Sequence, residues 1–289
     1  MLSSWAISKR ALSHDPRNRS ILERHSIQAA LWRKRHPFNH AVEALKQQKL
    51  KRSKAGRPCA LSRQGQVLVT LEYWREYRTY FHISTDWQVS ESTLCRTVHR
   101  VENTLIQSAH FRLPVKKRLF KGLGTRPAVV VMDVTETPIE RPKRKQKRFY
   151  SGKKKQHTLK SQLVMDPYTS EIICTFFGQG RRHDFALFKA SGIRFHPETA
   201  SLQDSGYQGI VQFHANSFIP KKKPKYGELS ASEKAYNQEL ARQRICVEHV
   251  NRRLKIFRIL QQRYRNRRRR FGLRCNLIAA LYKYELKVS

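Results

Sequence analysis

From Leu61 to Ser108 apolar residues recur at spacings of three and four, the period of helices that bury one face. Ser62 can cap a first helix with Val67, Leu68, Leu71 and Trp74 as its stripe. A short second helix spans Thr79 to about Trp87, and Ser90 opens a third in which Leu94, Val98, Val101 and Leu105 are buried. Three helices in this order outline a helix-turn-helix, whose third helix enters the major groove of a duplex by its N-terminal end. Ser90, Glu91, Ser92, Thr93, Arg96 and Arg100 are then the side chains facing DNA. A plain three-helix bundle is the other reading of the same pattern. Upstream, a helical period runs from about Ile27 to Leu50. The basic stretch KRSKAGRPC that follows, with Arg57, reads as a linker or as an arm for the minor groove. Residues 1 to about 25 carry no period.

From Arg126 the pattern changes to strands. PAVVVMDV is a continuous apolar run, suited to a strand buried on both faces and ending at Asp133. TLKSQLVM and EIICTFF follow as strands joined by the turn DPYTS. Next come a short helix DFALFK, a fourth strand TASLQ ending at Asp204, a small helix GYQGIVQF and a fifth strand SFIP. A long helix starting near Ser230 and Ser232 and a last helix from about Phe271 to Leu286 complete the chain. This succession is that of a ribonuclease H-like fold, in which the first and fourth strands are neighbours. The expected architecture is α/β: a ribonuclease H-like mixed-sheet domain over residues 113–289. An all-α helix-turn-helix domain over 56–112 precedes it, after a basic, partly helical segment over 1–55.

Neighbouring first and fourth strands would bring Asp133 and Asp204 together, and Glu248 of the long helix can complete the set. Along RICVEHVNRRLKIF, Arg244, Glu248 and Lys255 stand four and seven apart on one helical face. Cys246, Val250, Leu254 and Phe257 form a separate apolar stripe. Three carboxylates held together repel one another unless a cation neutralises them, and oxygen donors select Mg²⁺ or Mn²⁺. Two such ions roughly 3.5–4 Å apart serve phosphodiester hydrolysis and strand transfer equally. Arg244 and Lys255 would grip phosphates or pair with Glu248 itself. His157 and the pair His183 and Asp184 could form a hydrolase dyad or ligate a metal, but no serine or cysteine nucleophile sits in an elbow. Two basic stretches suit DNA backbone: the loop 140–157, with Lys153, Lys154, Lys155, Phe149 and Tyr150, and the run 263–271, with Arg267 and Arg268.

Composition narrows the partner. The 59 Lys and Arg against 21 Asp and Glu give a net charge of +38, which repels itself unless it meets a polyanion, and nucleic acid is the obvious one. An apolar fraction of 39% with 10% aromatics is enough for a core and excludes a disordered basic tail. An RNA-binding structural protein remains the alternative on charge alone. The five cysteines lack CxxC spacing, as expected of free thiols in a reducing compartment without a zinc framework. No stretch has the roughly 18–20 apolar residues of a membrane span, and the N-terminus lacks a signal-peptide pattern. A cytoplasmic protein is expected.

Several strings occur together and in order: GRP with LS, YRTYF, SEST, DVTETPIERP at Asp133, YSGKKK with HTLK, GRRHDF, DSGYQG at Asp204, and YRNRRRRFGLR. In these the chain resembles the DDE transposases of bacterial insertion sequences, specifically the insertion sequence 5 family, from about residue 40 almost to the C-terminus. The resemblance implies Asp133, Asp204 and Glu248 as the catalytic, metal-holding acids. It implies Mg²⁺ or Mn²⁺, two ions, as cofactor. The partners it implies are double-stranded DNA of element ends and target, met at the bacterial nucleoid by a homodimer or larger assembly. Relatives carry Tyr, two residues, Arg, three residues, Glu, six residues, Lys; here Arg244, Glu248 and Lys255 fit, and Ala241 takes the tyrosine position. Gln88 stands where relatives often have glycine, a cost if that turn needs a positive φ. The activity implied is binding of terminal inverted repeats, cleavage at their ends and strand transfer. A catalytically silent regulator derived from such an enzyme is the alternative.

Overall fold

The computed structural model describes residues 35–50, 59–114, 116–120 and 126–287. Arg57, the stretch before Cys59 and the first turns of the helical period at Ile27 lie outside the described residues. The chain divides into two compact units, one built from the segments up to Tyr73 and Arg78–Thr104, the other from Trp74–Tyr77 and Leu105–Lys287.

In the first unit, α1 (Arg35–Leu50) precedes α2 (Arg63–Glu76), α3 (Tyr80–Asp86) and α4 (Glu91–Gln107). The start signals read from the sequence act as expected. Ser62 Oγ accepts the Gly65 amide at 3.0 Å and Ser90 Oγ accepts the Thr93 amide at 3.2 Å; Thr79, expected as the first residue of its helix, is the cap of α3. Leu94, Val98 and Val101 are fully buried along α4, as Val67 is in α2. The α2 stripe turns slightly from the expected one: Val69 is buried and Leu68 only half-buried. Between α3 and α4 the backbone reverses at Gln88, with φ 52°, a conformation that disfavours a side chain. Gln88→Gly is therefore expected to stabilise the chain by about 1 kcal/mol, seen as a higher urea midpoint.

The second unit holds a mixed sheet. Its strands are β1 (Val129–Pro138), β2 (Tyr150–Ser151), β3 (Gln156–Met165), β4 (Ile172–Gln179), β5 (Ala200–Leu202) and β6 (Ser217–Phe218). The order is β2-β3-β1-β5-β6, with β4 on β3. β1, β3 and β4 form an antiparallel meander, and β5 lies parallel beside β1. β1 does not stop at Asp133 as the apolar run suggested; it pairs with β3 as far as Pro138, because polar but β-branched Thr135 and Thr137 sustain the ladder. GYQGIVQF forms two 3₁₀ turns rather than a helix.

α5 (Asp184–Ser191) crosses one face, where Phe188, Tyr207 and Ile210 join Val130, Met132, Val164 and Ile173 in the core. Beyond the sheet come α6 (Ala231–Lys255), a short α7 (Arg258–Gln261) and α8 (Phe271–Lys287). Ser230 and Glu233 close a capping box at the start of α6. The face α6 buries is Leu240, Val247, Val250, Asn251 and Leu254; Val247 takes the place expected of Cys246, and Phe257 lies past the helix end. Thr137 donates to Leu260 O at 2.8 Å, tying β1 to α7. All five cysteines are free, and burial pushes the Cys174 and Cys275 thiols up to about 12, which keeps them protonated and unreactive. No helix among the described residues is long and apolar enough to cross a membrane.

Candidate active site

Parallel pairing of Val131 with Leu202 sets the site, since each stands two residues before an aspartate. Asp133 and Asp204 are thereby brought level where the parallel pairing ends, Asp204 just past the carboxyl end of β5 and Asp133 midway along β1. An open cleft of about 980 Å³ lies there, lined by Asp133, Asp204 and Glu248 together with Glu136, Asp184, Lys153, Lys154, Lys160, Arg252 and Lys255. Residues more than a hundred positions apart thus meet in one polar depression.

Each acid is held differently. Asp133 Oδ2 accepts a hydrogen bond from Asn251 Nδ2 at 2.8 Å, and Arg244 stands 3.8 Å from Oδ1. Burial raises the Asp133 pKa above the usual carboxylate range, Arg244 opposes this, and the nearby Asp204 and Asp184 add to it. Asp204 caps the turn that follows it, its Oδ1 accepting the Gly206 amide at 2.9 Å. Glu248 is exposed on α6, on the side that also presents Lys255 to the cleft. Lys255 has its pKa lowered by burial and by the neighbouring Lys154, two cations that a phosphate would relieve.

Among the described residues no group of three His, Cys, Asp or Glu side chains is arranged to hold a metal ion. The local chemistry nevertheless suits a hard cation. The donors are carboxylate oxygens, and the charges of Asp204 and Asp184 add to the rise in the Asp133 pKa. A Cβ at Gly206 would stand 2.9 Å from both Asp184 Oδ2 and Asp204 Oδ1, so only glycine leaves the space between them open. Among the described residues Arg244 Nε, Asn251 Oδ1 and the Tyr207 hydroxyl are buried without a hydrogen-bond partner, a cost of about 1–3 kcal/mol each unless something at the site offsets it.

The other expected DNA-facing residues fall in several places. Ser92 and Arg96 are exposed at the start of α4, and Arg96 Nη2 lies 3.4 Å from Ser92 Oγ. Ser90 is committed to its cap, while Thr93 and Arg100 are half-buried. Lys153, Lys154 and Lys155 are exposed, the first two on the cleft rim. Arg267 and Arg268, both at positive φ, line a second cavity of about 430 Å³ with Arg141, Lys143 and Arg144. Phe149, expected as part of the loop that grips DNA, is instead buried, with the Arg268 guanidinium 4.4 Å from its ring centre; Tyr150 is exposed. His157 is half-buried in β3, and His183 is exposed at the N-cap of α5 on the cleft wall. Sequence reading missed Asn251, Lys160 and Glu136. Lys160 had a signal, a lone cation inside the otherwise uncharged strand TLKSQLVM; Asn251 had only its place three residues after Glu248.

A family model described as DDE superfamily endonuclease matches residues 132–282, and one described as helix-turn-helix of DDE superfamily endonuclease matches 59–111. The chain is 56% identical over 255 residues, 88% of its own length and 92% of the other's, to the "Probable transposase for insertion sequence element IS702" of Microchaete diplosiphon.

Proposed function

Because this chain belongs to the DDE superfamily endonucleases, we propose that it is a transposase that binds the terminal inverted repeats of an insertion sequence. It cuts there and joins the 3′ ends to target DNA. The observation that carries the reading is the meeting of Asp133, Asp204 and Glu248 in one cleft whose rim is cationic. The strings quoted above further favour the insertion sequence 5 group. Residues 56–112 act as the DNA-recognition domain and 113–289 as the catalytic one.

The roles follow from placement. The N-terminal turn of α4 presents Ser92 and Arg96 to base edges, and supplies most of the sequence preference. Lys153, Lys154, Arg252 and Lys255 take the phosphates beside the scissile bond. Asn251 and Arg244 fix the Asp133 carboxylate so that it needs no reorganisation when DNA arrives. Asp133, Asp204 and Glu248 hold divalent metal, Mg²⁺ or Mn²⁺; a pair of ions there would activate water or a 3′ hydroxyl and stabilise the leaving oxygen. Glu248 must swing in from its exposed position to complete that set. Pairing two ends requires at least a dimer on DNA.

The test is nicking of a labelled duplex carrying the element's end, in Mg²⁺ or EDTA, by the wild type and Glu248→Ala. Metal-dependent nicking at the repeat terminus, lost in the variant, supports the reading. Specific binding without cleavage, unchanged by the substitution, would move the chain to non-catalytic DNA-binding proteins.

A further inference from the structure

Asp184, from the string GRRHDF, is the first residue of α5, and the roles given above leave it without a task. Its two oxygens are engaged differently. Oδ1 accepts a hydrogen bond from Lys160 Nζ at 2.7 Å. Oδ2 lies 2.9 Å from the point a Cβ would occupy at Gly206, and Asp204 Oδ1 lies the same distance from that point. The two aspartates therefore face each other across a residue with no side chain.

Lys160 is only 8% exposed, and its ammonium also stands 3.9 Å from Glu136 Oε1. Glu136 in turn accepts hydrogen bonds from Ser151 at 3.2 Å and Thr158 at 2.7 Å. A buried ammonium persists only where carboxylates compensate it, and here it is hydrogen-bonded to Asp184, which it helps to hold in place. In the same turn Tyr207 is completely buried, and among the described residues its hydroxyl has no hydrogen-bond partner. Burial and, after it, the charges of Asp184, Asp133 and Asp204 raise the pKa of this phenol.

We propose that Asp184 is a further carboxylate of the cation site, acting beside Asp133 and Asp204, and that Lys160 is its positioning residue. The inference rests on reading the cleft as a metal-dependent nuclease site. Lys160 occupies Asp184 Oδ1 and leaves Oδ2, the oxygen beside Gly206, for the cation. An ion pair with a purely structural task would affect folding but not metal affinity, and this difference makes the idea testable.

Mn²⁺ binding to the full-length chain, followed by electron paramagnetic resonance, is to be compared among wild type, Asp184→Asn, Asp184→Glu and Lys160→Gln. The Mn²⁺ dependence of duplex nicking is measured in parallel. Asp184→Asn is expected to bind Mn²⁺ at least about tenfold more weakly, and to need correspondingly more Mn²⁺ for half-maximal nicking. Lys160→Gln should shift both in the same direction by less, and Asp184→Glu, which keeps the charge, by least. A wild type that binds and nicks, with Asp184→Asn and Lys160→Gln indistinguishable from it in Mn²⁺ affinity, overturns this inference alone. Should Asp184→Asn fail to fold, equal affinities of Lys160→Gln, Asp184→Glu and wild type overturn it as well. A wild type that neither binds Mn²⁺ nor nicks overturns the nuclease reading and this inference together.

Discussion

Asp133→Asn should lower nicking of an end-bearing duplex about a thousandfold, some 4 kcal/mol of barrier, and yet melt above the wild type in EDTA. Both effects have one origin. The Asp133 carboxyl is half-buried near Asp204 and Asp184, and its pKa is raised chiefly by the loss of solvent around it. A group whose folded pKa exceeds its unfolded value contributes stability that is present at low pH and lost as pH rises through the folded pKa. At neutral pH the ionised Asp133 therefore weakens the metal-free fold, and a neutral amide of the same shape removes that penalty. The acceptor that Asn251 needs is kept, since the asparagine carbonyl can replace Oδ2. Scanning calorimetry in EDTA and then in Mg²⁺ checks this. Mg²⁺ should raise the melting temperature of the wild type and leave the variant unmoved, so the order of the two reverses. A variant that melts well below the wild type in EDTA would show that the Arg244 pairing outweighs burial. The same sign governs pH: metal affinity should start to fall on acidification at a higher pH than an ordinary aspartate would allow.

The fold was legible in the sequence to the extent that periodicity and caps are local. Ser62, Thr79 and Ser90 mark helix starts because a side-chain oxygen before an apolar stripe has one economical use, and each is used that way. Gln88 was recognisable as strained because glycine is expected there, and its φ is positive. Strand ends were less legible. An apolar run stops at Asp133 while β1 continues, since a strand paired on one side accepts polar threonines that carry no hydrophobic signal. The meeting of the two aspartates depended on strand order, which a fold-level pattern supplied and the parallel register of β1 with β5 realises. Contacts between distant residues were not legible. Nothing local distinguishes Lys160 as the partner of Asp184, or Phe149 as a buried support for Arg268 rather than part of a loop that grips DNA. Arg244 shares a helical face with Glu248, yet it turns toward Asp133, because helical spacing fixes the direction of a side chain but not what lies beyond it.

Glu72→Ala should destabilise the helix-turn-helix by about 3–5 kcal/mol, because it removes the buried partner of a charged pair. Glu72 lies in α2 with its side chain 5% exposed, and each of its oxygens has a partner. Oε2 accepts the Trp87 indole N–H at 2.8 Å, and Oε1 faces Arg78 at 3.2 Å. Arg78 continues to Asp86 at 2.6 Å, so one carboxylate links α2 to both ends of α3. Removing it leaves the Trp87 indole without its carboxylate acceptor, and the partly exposed Arg78–Asp86 pair offsets little. Glu72→Gln keeps an acceptor for the indole and should cost only about 1 kcal/mol. The consequence for DNA follows from chain order. Trp87, Gln88 and Val89 lead directly into Ser90, the cap of α4, so a loosened Trp87 displaces the first turn of the recognition helix. Glu72→Ala should therefore lose its preference for end-bearing duplex while keeping salt-sensitive, non-specific binding, which depends on surface Lys and Arg left untouched. Urea unfolding and a competition binding assay at two salt concentrations check both halves. Unchanged specificity together with an unchanged urea midpoint would mean that Glu72 does not hold the turn in place.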